Sequence, residues 1–351
     1  MARYFLDIQI KSFYSAQRHR ITAASKPRTD AINIARKCGF KSRIFYWLES
    51  ESSKFLKSHP FFPNRLLCFQ TDLFVRFTSG ATILAQMPFL WRNMHEVLRR
   101  LSRKNKLIIL VHDIDQMRGS VNAKDDLETL NAAHVIVCHT PQMAAQLRQL
   151  GVTSPCVTLE FFDYLNDYEI GVHPIPTIHP DILFAGNLEK SEFVNQLGTI
   201  LHLDEMSVSL YGRGGQDLPQ TNIKYRGTFD NEDIANVKGD WGLVWDGDSV
   251  ETCHGCYGEY LKYNAPYKMS LYLALGIPVI VWTESAMAMY VKQYHLGVCV
   301  ASLNEIYDAV SLLSESAKAE IQKGVKEYSH KVKSGEMLRT ALQKAIIALD
   351  N

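Results

Sequence analysis

The sequence predicts an α/β protein built from two doubly wound parallel sheets that face one another across a cleft. Three observations predict it. Short apolar runs alternate with helix-period segments along the whole chain. The alternation falls into two series separated by GVHPIPTIHP (171–180), whose three prolines mark a linker. The length, 351 residues, also exceeds what one hydrophobic core usually serves.

In the first series, strands are predicted at 4–10, 43–48, 65–70, 106–114, 134–139 and 156–161. Helical patterns are predicted at 30–38, 83–103 and 141–150. The last is clearly punctuated, with Thr140 as N-cap, Pro141 at the first helical position and Gly151 beyond its end. The second series has strands at 181–185, 207–211, 223–225, 242–245, 278–282 and 298–300, with a mostly helical tail from Leu303. The expected units are 1–170, 171–330 and a closing helix at 331–351 that packs back on the first unit.

Composition narrows the function classes. No apolar run approaches the roughly 20 residues that span a bilayer, and the charged start MARYFLDIQI reads as a first strand rather than a signal peptide. Seven scattered cysteines suit reduced thiols in the cytoplasm. The net charge of +1 conceals an asymmetry: residues 1–110 carry 20 Lys+Arg against 6 Asp+Glu, a balance of +14. Such a basic half suits an anionic membrane surface or acceptor, or simply pairs with the acidic remainder. Nucleic acid is disfavoured because no recognised binding motif accompanies the charge.

The stretch 240–282 is the most informative. An apolar strand ends at Trp245, acidic residues follow, and a helix opened by Asn264 and Pro266 closes at Gly276. Its amino end would gather unpaired N–H groups, the positive dipole and the ammonium of Lys268, a combination suited to a diphosphate. In DILFAGNLEKSE (181–192), Gly186 and Asn187 turn a strand into a helical pattern and Lys190 would neutralise phosphate. Tyr211 and Arg213 follow another strand at the same sheet edge, with Arg213 suited to bidentate phosphate binding. Asp246, Asp248 and Glu251 cluster as for a divalent metal or for sugar hydroxyls, and hydroxyl recognition is preferred. Cys253 and Cys256 form a lone C-x-x-C without a second ligand pair, read as incidental. In ILVHDIDQMRG (109–119), His112, Asp113, Asp115 and Arg118 follow a buried strand, as proton-transfer groups or as caps and a surface ion pair. Lys26, Arg28 and Asp30 open the first long helix, and the SAQRHR loop (15–20) would meet an anionic ligand.

These residues resemble GT-B glycosyltransferases, and more narrowly the bacterial β-1,6-galactofuranosyltransferases of O-antigen and surface-polysaccharide assembly. The resemblance rests on HDIDQMRG, HTPQM (139–143), FAGNLEK and above all LVWDGDSVETCHGCYGEYLKYNAPYKMSLYL (243–273). It implies two Rossmann-like domains, the second holding a nucleotide diphosphate and the first presenting the acceptor. Gly186, Asn187 and Lys190 would then border the nucleotide. Lys268, Tyr267 and Ser270 would face the diphosphate, with Tyr263 and Asn264 in the loop before them. Asp246, Asp248 and Glu251 would lie near ribose or donor sugar. Glu251 and Glu259 have the spacing of the E-x7-E signature of many GT-B enzymes, but both precede the helix and are not counted as a match.

The resemblance further implies inverting transfer of galactofuranose from UDP-galactofuranose, with no cofactor and no metal strictly required. The base would be Asp115 or Asp113, with His112, Arg118 and Lys26 on the acceptor side. The acceptor would be a lipid-linked glycan and the enzyme peripheral to the inner membrane, with homo-oligomerisation left open. The rivals are a hexosyltransferase using UDP-glucose or UDP-galactose and a catalytically silent nucleotide-binding subunit. A nicotinamide oxidoreductase is disfavoured because no G-x-G-x-x-G follows the first strand.

Overall fold

The computed structural model describes residues 2–11, 25–48, 58, 61–89, 91–114, 117, 124–169, 174–215 and 221–350. The described strands form two six-stranded sheets, and every pairing in them is parallel.

The first sheet holds β1 (Arg3–Lys11), β2 (Lys41–Leu48), β3 (Thr82–Met87), β4 (Lys106–Val111), β5 (Val135–Cys138) and β6 (Cys156–Thr158), in the order β2-β1-β3-β4-β5-β6. Its centre reads as a continuous apolar run because both faces are covered. In β4, Leu107, Ile109 and Val111 enter one core cluster, while Ile108 and Leu110 enter the cluster on the opposite face. That division is the period-2 alternation of a strand between two helical layers.

Its helices are α1 (Lys26–Lys37), α2 (Phe62–Phe77), α3 (Met94–Ser102), α4 (Lys124–Ala132) and α5 (Pro141–Gln149). The α5 cap is as the sequence predicts: Thr140 extends its backbone and accepts the N–H of Met143 at 3.1 Å. Two other expectations are corrected. Residues 65–70 lie within α2, not in a strand. Pro63 sits in its first turn, and Leu67, Thr71 and Phe74 bury one helical face. The predicted helix 83–103 instead begins as β3, whose six residues are all buried, and becomes helical only at Met94. A short, mostly apolar run fits either period, and Gly80 and Pro88 supply the breaks that make it a strand.

The second sheet holds β7 (Asp181–Ala185), β8 (Ser207–Tyr211), β9 (Ile223–Tyr225), β10 (Trp241–Val244), β11 (Val279–Trp282) and β12 (Gly297–Val300), in the order β12-β11-β10-β7-β8-β9. Around it lie α6 (Gly255–Tyr260), α7 (Tyr267–Ala274), α8 (Met287–Tyr294), α9 (Ile306–Ser311) and α10 (Glu315–Ser334). The chain crosses between the units twice. In the first crossing, adjacent residues part company: Phe161 packs in the core of the second unit and Phe162 in that of the first. The second falls at Gly335, whose φ of 79° turns the end of α10 into α11 (Glu336–Asp350). Helix α11 packs on α1, β5 and β6, burying Leu338, Leu342 and Ala345 there. The Asp163 carboxylate receives the N–H groups of Met337 and Leu338 at 3.0 and 2.8 Å, satisfying donors that α11 leaves open. Among the described residues, no helix is long and apolar enough to cross a membrane.

Candidate functional site

Strands of both sheets end at the junction of the two units, so their carboxyl-end loops gather there, where ligands of doubly wound sheets bind. On the second unit, two of these loops lock together. Gly186, after β7, donates its N–H to the Tyr211 carbonyl at 3.0 Å, and Leu188 donates to that of Arg213. Gly212 has φ 144°, and a Cβ there would lie 1.7 Å from the Gly186 oxygen, so only glycine permits this closeness.

Lys268 lies in the first turn of α7, which no side chain caps. Its ammonium donates to the Trp245 carbonyl at 2.8 Å, lies 3.5 Å from an Asp246 carboxylate oxygen and stands 4.5 Å from the centre of the Phe184 ring. A Cβ on Gly186 would come within 3.9 Å of that same nitrogen. Thus the ends of β7 and β10 and the tip of α7 converge on one half-buried cation, beside an uncapped helix start where an anion is stabilised.

Other nominated residues occupy different places. Asn187 folds an Asx turn onto the Glu189 N–H, while Lys190 stands exposed above the Tyr257 ring and Arg213 pairs with Glu189. Asp248 is exposed, with its carbonyl receiving Gln196 at 2.6 Å. Asp246, Asp248 and Glu251 do not form one carboxylate cluster: Asp246 turns to Lys268, whereas Glu251 accepts hydrogen bonds from Ser302 and Asn304. Among the described residues, no group of three His, Cys, Asp or Glu side chains is gathered to hold a metal. Cys253 lies in the core, its thiol pushed up to about 12 by burial, and Cys256 is exposed.

Several expected orientations are corrected. The Tyr267 ring stacks on Tyr164 at 5.1 Å and its hydroxyl donates to Asp30, so it faces the first unit rather than the tip of α7. Ser270 is fully buried and donates to the Phe162 carbonyl at 2.7 Å. Residues 267 and 270, three apart, share the helix face turned to the first unit, whereas residue 268 is rotated about 100° from 267 and faces the loops after β7 and β10. Tyr211 is buried, its oxygen receiving the Lys238 N–H, and it meets the loop lock only through its backbone. Tyr263 packs against the first core and offers its carbonyl to Thr140 at 2.6 Å. The Asn264 side-chain oxygen is buried without a hydrogen-bond partner among the described residues.

Lys26 is 1% exposed and bonded to Asp30 at 2.8 Å, to the Leu165 carbonyl at 2.7 Å and to Glu232 at 3.2 Å. It ties the units together instead of facing an acceptor. A buried ammonium requires such partners.

On the first unit, His112 follows β4. Its Nε2 is 2.6 Å from the Gln86 side-chain oxygen, its ring stacks flat on Phe162 at 5.1 Å, and its Nδ1 is buried without a partner among the described residues. Burial, reinforced by the charge of Arg28, holds the imidazole well below its ordinary range and therefore neutral. Asp113 is half-buried and lies within the electrostatic reach of Arg28. Asp115, Arg118 and the loop 15–20 fall outside the described residues.

Sequence reasoning missed three contributors, Asp7, Gln86 and His139, and gave Arg28 only a place at the opening of the first long helix. Arg28 donates to the Pro88 and Gln86 carbonyls at 3.0 and 3.3 Å. Asp7 is charge-coupled to it, with its carboxyl raised by burial. Gln86 orients His112. His139 receives the Ala265 N–H on Nδ1 at 3.0 Å and donates from Nε2 to Val111. The signal for His139 was its place directly after β5, beside a helix cap. A cavity of about 440 Å³ lies elsewhere, at the opposite ends of β10 and β11, lined by Pro176, Lys238, Leu275 and Val325. The convergent polar groups, not that apolar hollow, mark the site.

Comparison with known proteins identifies the family. Residues 7–161 match the model of the glucosyltransferase 3-like N-terminal domain, and residues 182–345 that of the glucosyltransferase 3-like C-terminal domain. The chain is also 30% identical over 246 residues to the beta-1,6-galactofuranosyltransferase WbbI of Escherichia coli K12, covering 69% of this chain and 72% of that one. The protein belongs to the glucosyltransferase 3-like family. This glycosyltransferase is further similar to glucosyltransferase 3 of Streptococcus gordonii, 23% identical across 91% of its own length and 93% of the relative's.

Among solved structures, the glycosyltransferase resembles an α,α-trehalose-phosphate synthase from Burkholderia vietnamiensis, with TM-score 0.54 and 10% identity over 100% and 99% of the two chains. It also resembles the Thermobaculum terrenum O-GlcNAc transferase, with TM-score 0.57 and 11% identity over 99% of this chain and 68% of that one. These place it in the GT-B fold.

Proposed function

We propose that the enzyme transfers galactofuranose from UDP-galactofuranose to a glycan acceptor with inversion, forming a β-1,6 linkage during O-antigen or surface-polysaccharide assembly. The observation that carries this reading is the single cation at the start of α7, Lys268, seated where the ends of β7 and β10 converge. The narrower choice of donor is supported by the similarity to the E. coli beta-1,6-galactofuranosyltransferase.

Inversion requires one direct displacement at the anomeric carbon. A base takes the proton of the acceptor hydroxyl as its oxygen bonds to that carbon, while the bond to UDP breaks and its electrons leave with the diphosphate. Lys268 and the α7 tip would stabilise the growing negative charge, and Lys190 and Arg213 would reach the nucleotide from the loops after β7 and β8. Asp113 or Asp115 would serve as base from the opposite unit. Lys268 and the helix tip can meet the leaving-group charge themselves, so a metal is not strictly required in this scheme. The acceptor would be a lipid-linked glycan, with the enzyme working peripherally at the inner membrane.

A second reading is glucosyl transfer from UDP-glucose, favoured by the match to both glucosyltransferase 3-like domain models and by the longer coverage of the streptococcal relative. Donor profiling with UDP-galactofuranose, UDP-galactose and UDP-glucose on synthetic soluble glycosides, with the product linkage read by NMR, separates the two. Turnover of UDP-glucose alone would overturn the galactofuranosyl reading. UDP binding without turnover of any donor would mark a catalytically silent subunit.

A further inference from the structure

Helix α2 exposes an apolar face that nothing in the reaction uses. It covers edge strand β2, towards which Leu67, Thr71 and Phe74 are buried. On its other side Phe69 is 64% exposed, Leu73 44% and Phe77 75%, while Phe61, just before the helix, is 78% exposed. Residues 69, 73 and 77 are four apart and form one stripe along the axis. Large apolar side chains aligned in this way are costly to leave in water.

The surroundings of the stripe are cationic. Arg65 and Arg76 are exposed on the same helix, and the Arg76 guanidinium sits 5.7 Å from the centre of the Phe77 ring. Exposed Arg103 and Lys104 lie beside the end of α2, where the Lys104 carbonyl receives the Gly80 N–H at 2.9 Å. Lys41 and Arg43 are exposed on β2. Among the described residues of α2 and β2 the one acidic group is Asp72, which is occupied by Arg100 at 2.5 Å. The first 110 residues carry the chain's +14 balance.

We propose that the outer face of α2 is a membrane-docking surface for an anionic lipid leaflet. Phe69, Leu73 and Phe77 enter the headgroup–acyl boundary, and the surrounding arginines and lysines meet lipid phosphates. An apolar stripe rimmed by cations is the chemistry of an interfacial helix. A helix that follows a parallel strand runs back along it, so the amino end of α2, with Phe61, lies towards the cleft. A leaflet on this face therefore borders the cleft mouth on its side. This use of the surface rests on the reading that the acceptor is lipid-linked.

The test is co-sedimentation of the full chain with phosphatidylcholine vesicles, with and without phosphatidylglycerol, at low and high salt. Wild type is expected to bind the anionic vesicles and to release at high salt. Phe69→Ser with Phe77→Ser should lower the partition coefficient about tenfold or more. Arg65→Glu with Arg76→Glu should abolish the preference for anionic over neutral vesicles. Both variants should keep the wild-type melting temperature and turnover on a soluble acceptor, which separates failure of docking from failure of the enzymatic reading. Indifference of wild type to anionic vesicles overturns the proposal, as does equal binding by the serine variant. A wild-type dimer that the serine variant dissociates, with no vesicle binding, would assign the face to a second copy of the chain.

Discussion

His139 Nδ1 accepts the backbone N–H of Ala265 at 3.0 Å, so a side chain of the first unit holds the peptide two residues before α7. The Val111 carbonyl takes the proton on Nε2, which sets the tautomer. The helix that positions Lys268 is therefore aligned by a contact between the two units.

That contact predicts a pH dependence. Burial lowers the His139 imidazole from 6.5 to about 4. The unfolded imidazole thus takes up a proton first, and stability contributed by neutral His139 is complete above about pH 6.5 and lost as pH falls towards 4. The shift corresponds to no more than about 3 kcal/mol. Asp163, raised by burial to about 7, acts in the opposite sense over the same range. The measurement is therefore the difference in stability between wild type and His139→Gln, which should shrink from pH 7 to pH 4. A constant difference would show that His139 does not titrate as described.

Lys268→Ala should weaken UDP binding and slow turnover together, because the charge on the leaving diphosphate grows in the transition state. A charge-assisted hydrogen bond contributes about 1.5–3 kcal/mol, so UDP affinity should fall roughly ten- to a hundredfold. Calorimetric titration with UDP reads the first effect and steady-state kinetics the second. Unchanged values for both would remove Lys268 from the site.

Asp113→Asn should leave UDP affinity intact while lowering turnover about 10²–10⁴-fold if Asp113 is the base. A normal rate would transfer the role to Asp115, tested in the same way.

Gly212→Ala should damage the fold of the donor-side loops, since its Cβ would lie 1.7 Å from the Gly186 oxygen at a backbone φ of 144°. A cost of about 3 kcal/mol is expected, read as a lower melting temperature together with weaker UDP binding. Melting and binding equal to wild type would show that the two loops separate freely.

The architecture was legible where patterns were long or punctuated. The strands of the second sheet, the cap at Thr140 and the helix carrying Lys268 all follow from local sequence, because apolar period, N-caps and glycine stops act within a few residues. Residues 65–70 and 83–87 were not legible, since a short apolar run satisfies both periods until its neighbours choose one.

By itself, the sequence determined two strand–helix units, a basic first half and a cation in the first turn of α7. Tertiary structure alone decided which groups meet: Tyr267 and Ser270 turn to the first unit, Lys26 locks to the Leu165 carbonyl and Glu232, and His139 grips Ala265. Spacing along a helix states which residues share a face, but not which face meets the partner unit. That is settled by the burial of both cores at once, through contacts between residues more than a hundred positions apart.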